Sequence, residues 1–302
     1  MSRPTTAEVA AACVPGRRHV LGARPCEDAV AAVRDVEGVV LAVADGHGHS
    51  RYTHAAEGAR IACESAIDVL RRVLTELPPE VEQLGVLHDE LSRSLPRQLV
   101  FEWNRRVKHH IAMRQRLARG TGPEDVGGTW SQGVRAYGTT LLAAAFNDRI
   151  AIWLQIGDGD ILRVCPQGRA QRVFPRPPKQ TQATSSLAMR GCVEHIRFEV
   201  SDLRANPVEL AVLTSDGVGD RYDNGTFERL WGSQLLHTLR QKGWQRSVVC
   251  LPTELAQLAR DGDDAAAALT WLPEPTPVLF EDSLDLDPED FDELDLLDED
   301  AG

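Results

Sequence analysis

Apolar residues recur along this chain in two rhythms. Short apolar runs at 39–43, 141–146, 150–156 and 161–164 are bounded by Asn, Asp and Gly, and read as buried strands. Val14 and Val20 open an earlier strand, paired around a turn with the run at 39–43. Further strands are expected at 194–200, 209–214 and 265–272. A 3.6-residue rhythm replaces this at 53–77, where Ala56, Ala59, Ile61, Ala62, Ala66, Ile67, Val69, Leu70 and Val73 gather largely on one helical face. Pro78-Pro79 stop that helix. A second helical pattern covers 86–117 with an interruption near Pro96, and shorter ones fill 226–240 and 247–260. The Gly-rich stretch 120–133 reads as a loop.

The turns Asn147-Asp148 and Gly157-Asp158-Gly159 are too short for a parallel crossover, which needs a dozen or more residues. The strands they join are therefore antiparallel, which argues against a doubly wound nucleotide fold. Paired helices with strand meanders imply a layered α+β sandwich.

Charge divides the chain unevenly. Residues 281–302 hold twelve acids and no Lys or Arg, so the net charge of −12 belongs to that segment and the rest is balanced. Pro273, Pro275 and Pro277 form a stiff linker before it, and Leu284, Leu286, Phe291, Leu294, Leu296 and Leu297 alternate with its acids. The expected division is a folded unit over 1–272 and a disordered acidic tail over 273–302. A balanced body gives no field for nucleic acid. The basic stretch Arg105, Arg106, Lys108, His109, His110, Arg114, Arg116 and Arg119 reads as a solvated helix face, without a nucleic-acid recognition module. The tail is a candidate to dock there, near the site described next, or on a partner. The six cysteines form no C-x-x-C pair and read as reduced structural thiols. No run approaches the roughly 20 apolar residues that span a bilayer, and Glu8 and Pro15 break the Ala-rich start where a secretory leader would need an apolar block. The expected compartment is the cytoplasm.

The chemistry lies in carboxylates at strand ends. Val43-Ala44-Asp45-Gly46-His47-Gly48 ends one apolar run, and Asp158 and Asp216 end others. Glu27-Asp28, Asp220 and Asp263-Asp264 complete the set. A strand end holds a carboxylate firmly yet lets it reach solvent, so several can converge. All-oxygen surroundings suit Mg²⁺ or Mn²⁺ rather than zinc. An EF-hand is excluded, since the twelfth positions counted from Asp158 and Asp216 are Arg169 and Phe227.

Six segments, in order, resemble the metal-dependent serine/threonine phosphatases of the PP2C (PPM) family, in particular its compact bacterial branch. They are Arg24-Pro25-Cys26-Glu27-Asp28-Ala29, Val43 to Gly48, Tyr137-Gly138-Thr139-Thr140, Ile156-Gly157-Asp158-Gly159, Thr214 to Asp220, and Asp263-Asp264-Ala265-Ala266. The resemblance covers about 14–272 and implies a four-layer α-β-β-α sandwich, with two antiparallel sheets flanked by helices. It implies that Asp45 bridges two Mg²⁺ or Mn²⁺ ions, with Glu27 and the Gly46 carbonyl on one and Asp216 and Asp263 on the other. Asp28 would orient water, Asp158 and Asp220 would bind a third, weaker ion, and His47 would protonate the leaving alkoxide. The implied reaction is attack on phosphoserine or phosphothreonine by hydroxide generated at the binuclear centre, with a kinase or its target as the phosphorylated partner.

The pattern is broken in three places. Ala23 stands where the family often has a phosphate-gripping arginine. Arg24 is the nearest substitute, though alternation along a strand would turn it to the other face; His19 and Arg18 are further candidates. Ala266 replaces the usual Thr or Ser, and the flap expected at 175–190 is short. The alternative function is a non-catalytic phosphoprotein-binding or scaffold protein; hydrolysis of small phosphoesters would share the same chemistry.

Overall fold

The computed structural model describes residues 7–77, 84–119, 130–176, 184–223, 225–260 and 262–273. The tail expected beyond Pro273 and most of the Gly-rich stretch lie outside them.

Strands β1 (Glu8–Val14), β2 (Asp28–Arg34), β3 (Val39–Asp45), β4 (Leu141–Phe146), β5 (Ile150–Ile156), β6 (Asp160–Val164), β7 (Ala170–Arg172), β8 (Arg197–Asp202), β9 (Leu210–Thr214) and β10 (Ala265–Trp271) make two five-stranded sheets. Their orders are β2-β3-β4-β5-β8 and β1-β10-β9-β6-β7, and every pairing is antiparallel. Helices α1 (Arg17–Leu21), α2 (Ala55–Glu76), α3 (Leu84–Arg119), α4 (Trp130–Arg135), α5 (Asp216–Gly219), α6 (Leu235–Lys242), α7 (Trp244–Val248) and α8 (Leu251–Ala259) accompany them.

Strand alternation explains why β3 to β5 read as continuous apolar runs. Val40, Ala42 and Ala44 face a core shared with α2 and α3, whereas Val39, Leu41 and Val43 face the second sheet. A third apolar layer, with Leu162, Val212, Phe227, Leu236 and Leu255, separates that sheet from the C-terminal helices. Strands covered on both sides have no polar face to show. The four-layer α+β sandwich is therefore as expected.

Several elements differ from the sequence reading. The first strand ends at Val14, and 17–21 is a helical turn instead of its continuation. The strand paired with β3 around a turn is β2 at 28–34, later than expected, and β1 lies upstream of the expected start; alanine, a weak strand former, supplies much of the apolar content of both. Pro96 does not interrupt α3, which runs 36 residues through it. A proline forfeits one backbone hydrogen bond, and the anchoring of Leu95, Leu99 and Trp103 in the core holds the helix across the gap. The strand at 161–164 leaves the meander: β6 pairs with β7 and β9, so the Gly157–Gly159 turn carries the chain from one sheet to the other. Residues 228–234 form a π-helical segment leading into α6. Among the described residues no helix is long and apolar enough to cross a membrane.

Candidate metal centre

The site begins with a register. Asp28 opens β2 and Asp45 closes β3, and the two are direct cross-strand partners. Like charges placed opposite one another destabilise a ladder, so this pairing needs another justification. Asp45 is held by its backbone: its N–H donates to Thr140 Oγ1 at 2.9 Å, and its carbonyl accepts from Thr140 N at 2.8 Å and Thr139 Oγ1 at 2.9 Å. Gly46 then docks against the chain before β2, donating its N–H to the Glu27 carbonyl at 3.1 Å. A Cβ at Gly46 would lie 2.5 Å from that carbonyl oxygen, so only glycine permits the approach.

Asp216, the first residue of α5, completes the cluster through a hydrogen bond with Asp45. Burial pushes the Asp28 and Asp45 carboxyls well above the usual carboxylate range, and the surrounding acids push further. Ser215 partly offsets this by hydrogen-bonding Asp28. Burial likewise raises Asp216, to about 6, with Asp158 adding to it, while the hydrogen bond from Asp45 lowers it. The two carboxyls are linked through that hydrogen bond. Among the described residues no ion pair reaches any of the three, and the charges that act on them are acidic.

Glu27 precedes β2, and burial raises its carboxyl while His19 and Arg24 draw it back. Its Oε2 and the Oδ2 of Asp28 are buried with no hydrogen-bond partner. Unpartnered buried carboxylate oxygens are costly, and hard divalent ions relieve that cost. Among the described residues no three His, Cys, Asp or Glu side chains close on a single point. Mg²⁺ is commonly held by one or two carboxylates plus water, so the donor set fits such ions.

The remaining predicted residues lie around this cluster. His47 is half-buried, with its ring 4.8 Å from that of Tyr52 and its N–H on the Gly138 carbonyl at 3.1 Å. Burial lowers its pKa, Asp158 raises it and Arg51 lowers it. Asp158 accepts a hydrogen bond from Thr184 Oγ1 at 2.6 Å. Asp220 is exposed and paired with Arg176 at 2.5 Å, so a basic side chain already occupies it. Asp263 is exposed and accepts from the Asp264 N–H at 3.0 Å. Arg24 sits on a loop, not a strand, so the alternation argument against it does not apply. It is exposed and acts electrostatically on Glu27, while Ala23 turns the chain at φ 49°.

Some residues carry roles that their spacing concealed. Asp264, 3 % exposed, ties the segment before β2 to the mouth of β10. Arg172 and Arg176 clamp the buried Asp160. Cys13 and Cys26, distant in sequence, share a thiol hydrogen bond that lowers Cys13 to about 7 and raises Cys26. In the basic stretch of α3, Arg105 and Arg106 pair with Glu102, and Arg106 also with Asp68. These two arginines are thus paired with acids of α2 and α3.

A family model described as protein phosphatase 2C matches residues 15–258. The chain belongs to the protein phosphatase 2C family. No curated protein matches it significantly. Among solved structures, a bacterial serine phosphatase is similar at 15 % identity and TM-score 0.56, over 89 % of this chain and 99 % of the other. The serine/threonine phosphatase Stp1 from Staphylococcus aureus matches at 15 % identity and TM-score 0.56, over 90 % and 98 %. The catalytic domain of the phosphatase PstP, solved in complex with two manganese ions, matches at 18 % identity and TM-score 0.53, over 88 % and 97 %. At these identities the likeness establishes the PP2C fold.

Proposed function

We propose that this PP2C-family protein removes phosphate from phosphoserine and phosphothreonine in phosphorylated proteins, a kinase or its target among them, and that it depends on Mg²⁺ or Mn²⁺. The observation that carries the reading is the Asp28–Asp45–Asp216 cluster, with Asp28 buried, Asp45 and Asp216 partly buried, and no basic partner among the described residues. Glu27, Asp45 and the Gly46 carbonyl are assigned to one ion, and Asp45, Asp216 and Asp263 to a second. Asp158, with Asp220 once released from Arg176, would take a third. When bound, such ions supply Lewis acidity and an acidified water at neutral pH. Asp28 aligns the attacking water through the oxygen it leaves unpartnered. Arg24, exposed beside Glu27, attracts the phosphoryl group. His47, held against Tyr52, delivers a proton to the leaving alkoxide.

Residues 1–272 form the phosphatase unit in this reading, and 273–302 an acidic extension that docks on a partner or on the unit itself. The test is turnover of a phosphothreonine peptide with Mn²⁺, with chelator, and with Asp45→Asn. Activity is expected only in the first condition. Metal-independent turnover, or full activity of the variant, would overturn the mechanism. Metal binding without turnover would favour the non-catalytic phosphoprotein-binding alternative, to which Ala23 lends support.

A further inference from the structure

The loop from β3 to α2 carries a cation that the reaction as proposed does not use. Gly46 bridges to Thr139, and a Cβ at Gly48 would come within 3.6 Å of Glu27 Oε2, so the loop runs directly beside the acidic cluster. Its far end is fixed by Tyr52, whose N–H donates to the His49 carbonyl at 2.8 Å. The Tyr52 ring packs on His47 with centroids 4.8 Å apart and meets His49 edge-on at 6.4 Å. Tyr52 and His47 both press on Gly138: a Cβ there would lie 2.5 Å from the tyrosine ring and 2.8 Å from the imidazole.

The Arg51 guanidinium lies over this Tyr52 ring, 4.7 Å from its centroid, and its charge reaches the His47 imidazole. Its backbone N–H donates to His49 Nδ1 at 3.2 Å. The side chain is exposed, and among the described residues it forms no ion pair and no side-chain hydrogen bond. Arg24 differs, since its charge offsets that of Glu27. A guanidinium stacked by its face keeps a set orientation and leaves its in-plane N–H fork free. A phosphomonoester is a dianion whose oxygens accept such a fork two bonds at a time. Arg51 is thus a held cation with unused donors, beside the group assigned to protonate the leaving oxygen.

We propose that Arg51 grips the substrate phosphoryl group through its guanidinium fork, with Tyr52 as the positioning residue that holds it beside His47. This deepens the phosphatase reading above and rests on it. Arg24 draws the dianion towards the centre, and Arg51 makes the direct contact. A contact made equally in the bound substrate and in the transition state acts on KM and not on kcat.

The test uses the full chain loaded with Mn²⁺ and two probes, inorganic phosphate and a phosphothreonine peptide. Calorimetric titration is expected to show Arg51→Ala weakening phosphate binding by about 10–100-fold. Arg51→Lys should recover only part of this, because an ammonium lacks the fork, and Tyr52→Leu should fall between Arg51→Ala and the unaltered protein. The losses should persist at about 0.5 M salt, where long-range attraction is screened. With the peptide, Arg51→Ala should raise KM by a similar factor and leave kcat little changed. No phosphate binding by the unaltered protein, equal affinity in Arg51→Ala, full recovery by lysine, or a loss abolished by salt would overturn the proposal. A fall in Mn²⁺ affinity as large as the fall in phosphate affinity would likewise overturn it. Turnover by the unaltered protein with no effect of Arg51→Ala would remove Arg51 and leave the phosphatase reading intact. Arg51-dependent phosphate binding without turnover would do the reverse.

Discussion

Two carboxylate clusters lie close together in this fold, and their surroundings are opposite. Asp160, whose side chain is 0 % exposed, is gripped by Arg172 and Arg176; Arg176 continues to Asp220, and Arg172 to Glu228. Asp28 is buried and Asp45 and Asp216 partly so, and among the described residues they meet other acids and the Ser215 hydroxyl. The first cluster carries its cations within the chain. The second, with Glu27, leaves two buried oxygens unpartnered and has no basic partner among the described residues, so its charge balance must come from outside. Burial alone therefore does not mark a functional carboxylate. Burial without a basic partner does, because the fold accepts a cost that a single arginine would remove.

Substitutions in the two clusters should separate these roles. The largest effect belongs to Asp45→Asn, which should lower Mn²⁺-dependent turnover by at least about a hundredfold and abolish the rise in melting temperature on adding metal. Steady-state assays and thermal melts with and without chelator check both. Asp160→Asn should destabilise by about 2–3 kcal/mol, since Arg172 and Arg176 then keep only their outer partners Glu228 and Asp220, and this loss should be the same with metal or chelator. Urea unfolding measures it. Asp28→Asn should act with the opposite sign in chelator, stabilising by about 1 kcal/mol as a like charge is removed, while metal affinity falls. A loss of stability in chelator would erase the contrast between the clusters.

The smallest effect concerns the thiols beside the centre. Cys13 sits near 7, below its ordinary value, because Cys26 hydrogen-bonds its thiolate. Its alkylation rate should climb between about pH 6 and 8 and then level, whereas a thiol at the ordinary value would still be climbing. In Cys26→Ser or Cys26→Ala the plateau should move to higher pH. Mass spectrometry of iodoacetamide-labelled peptides reads this.

Much of the fold was legible where apolar content is strong. Helix α2 and strands β4 and β5 match their expected spans closely, because long stripes and bulky runs leave few alternatives. Alanine-rich β1 and β2 carried too weak a signal, and Pro96 too strong a one for a helix whose packing overrides it. The candidate residues were legible as types at strand ends. Their grouping was not. Nothing local distinguishes Asp158, held by Thr184, from Asp160, held by two arginines. Asp264 and His19 are separated by 245 positions and meet at 2.6 Å.

The sequence by itself determined the antiparallel α+β layering, through apolar runs and short turns, and the kind of chemistry, through carboxylates at strand ends. The register that sets Asp28 opposite Asp45, the turn that moves β6 to the second sheet, and the division of acids into paired and unpaired clusters were decided only by the tertiary structure. The physical reason is range. Periodicity and turn chemistry act between neighbours in the chain, whereas burial, ion pairing and hydrogen bonding between carboxyls depend on which distant segments the packed sheets bring together.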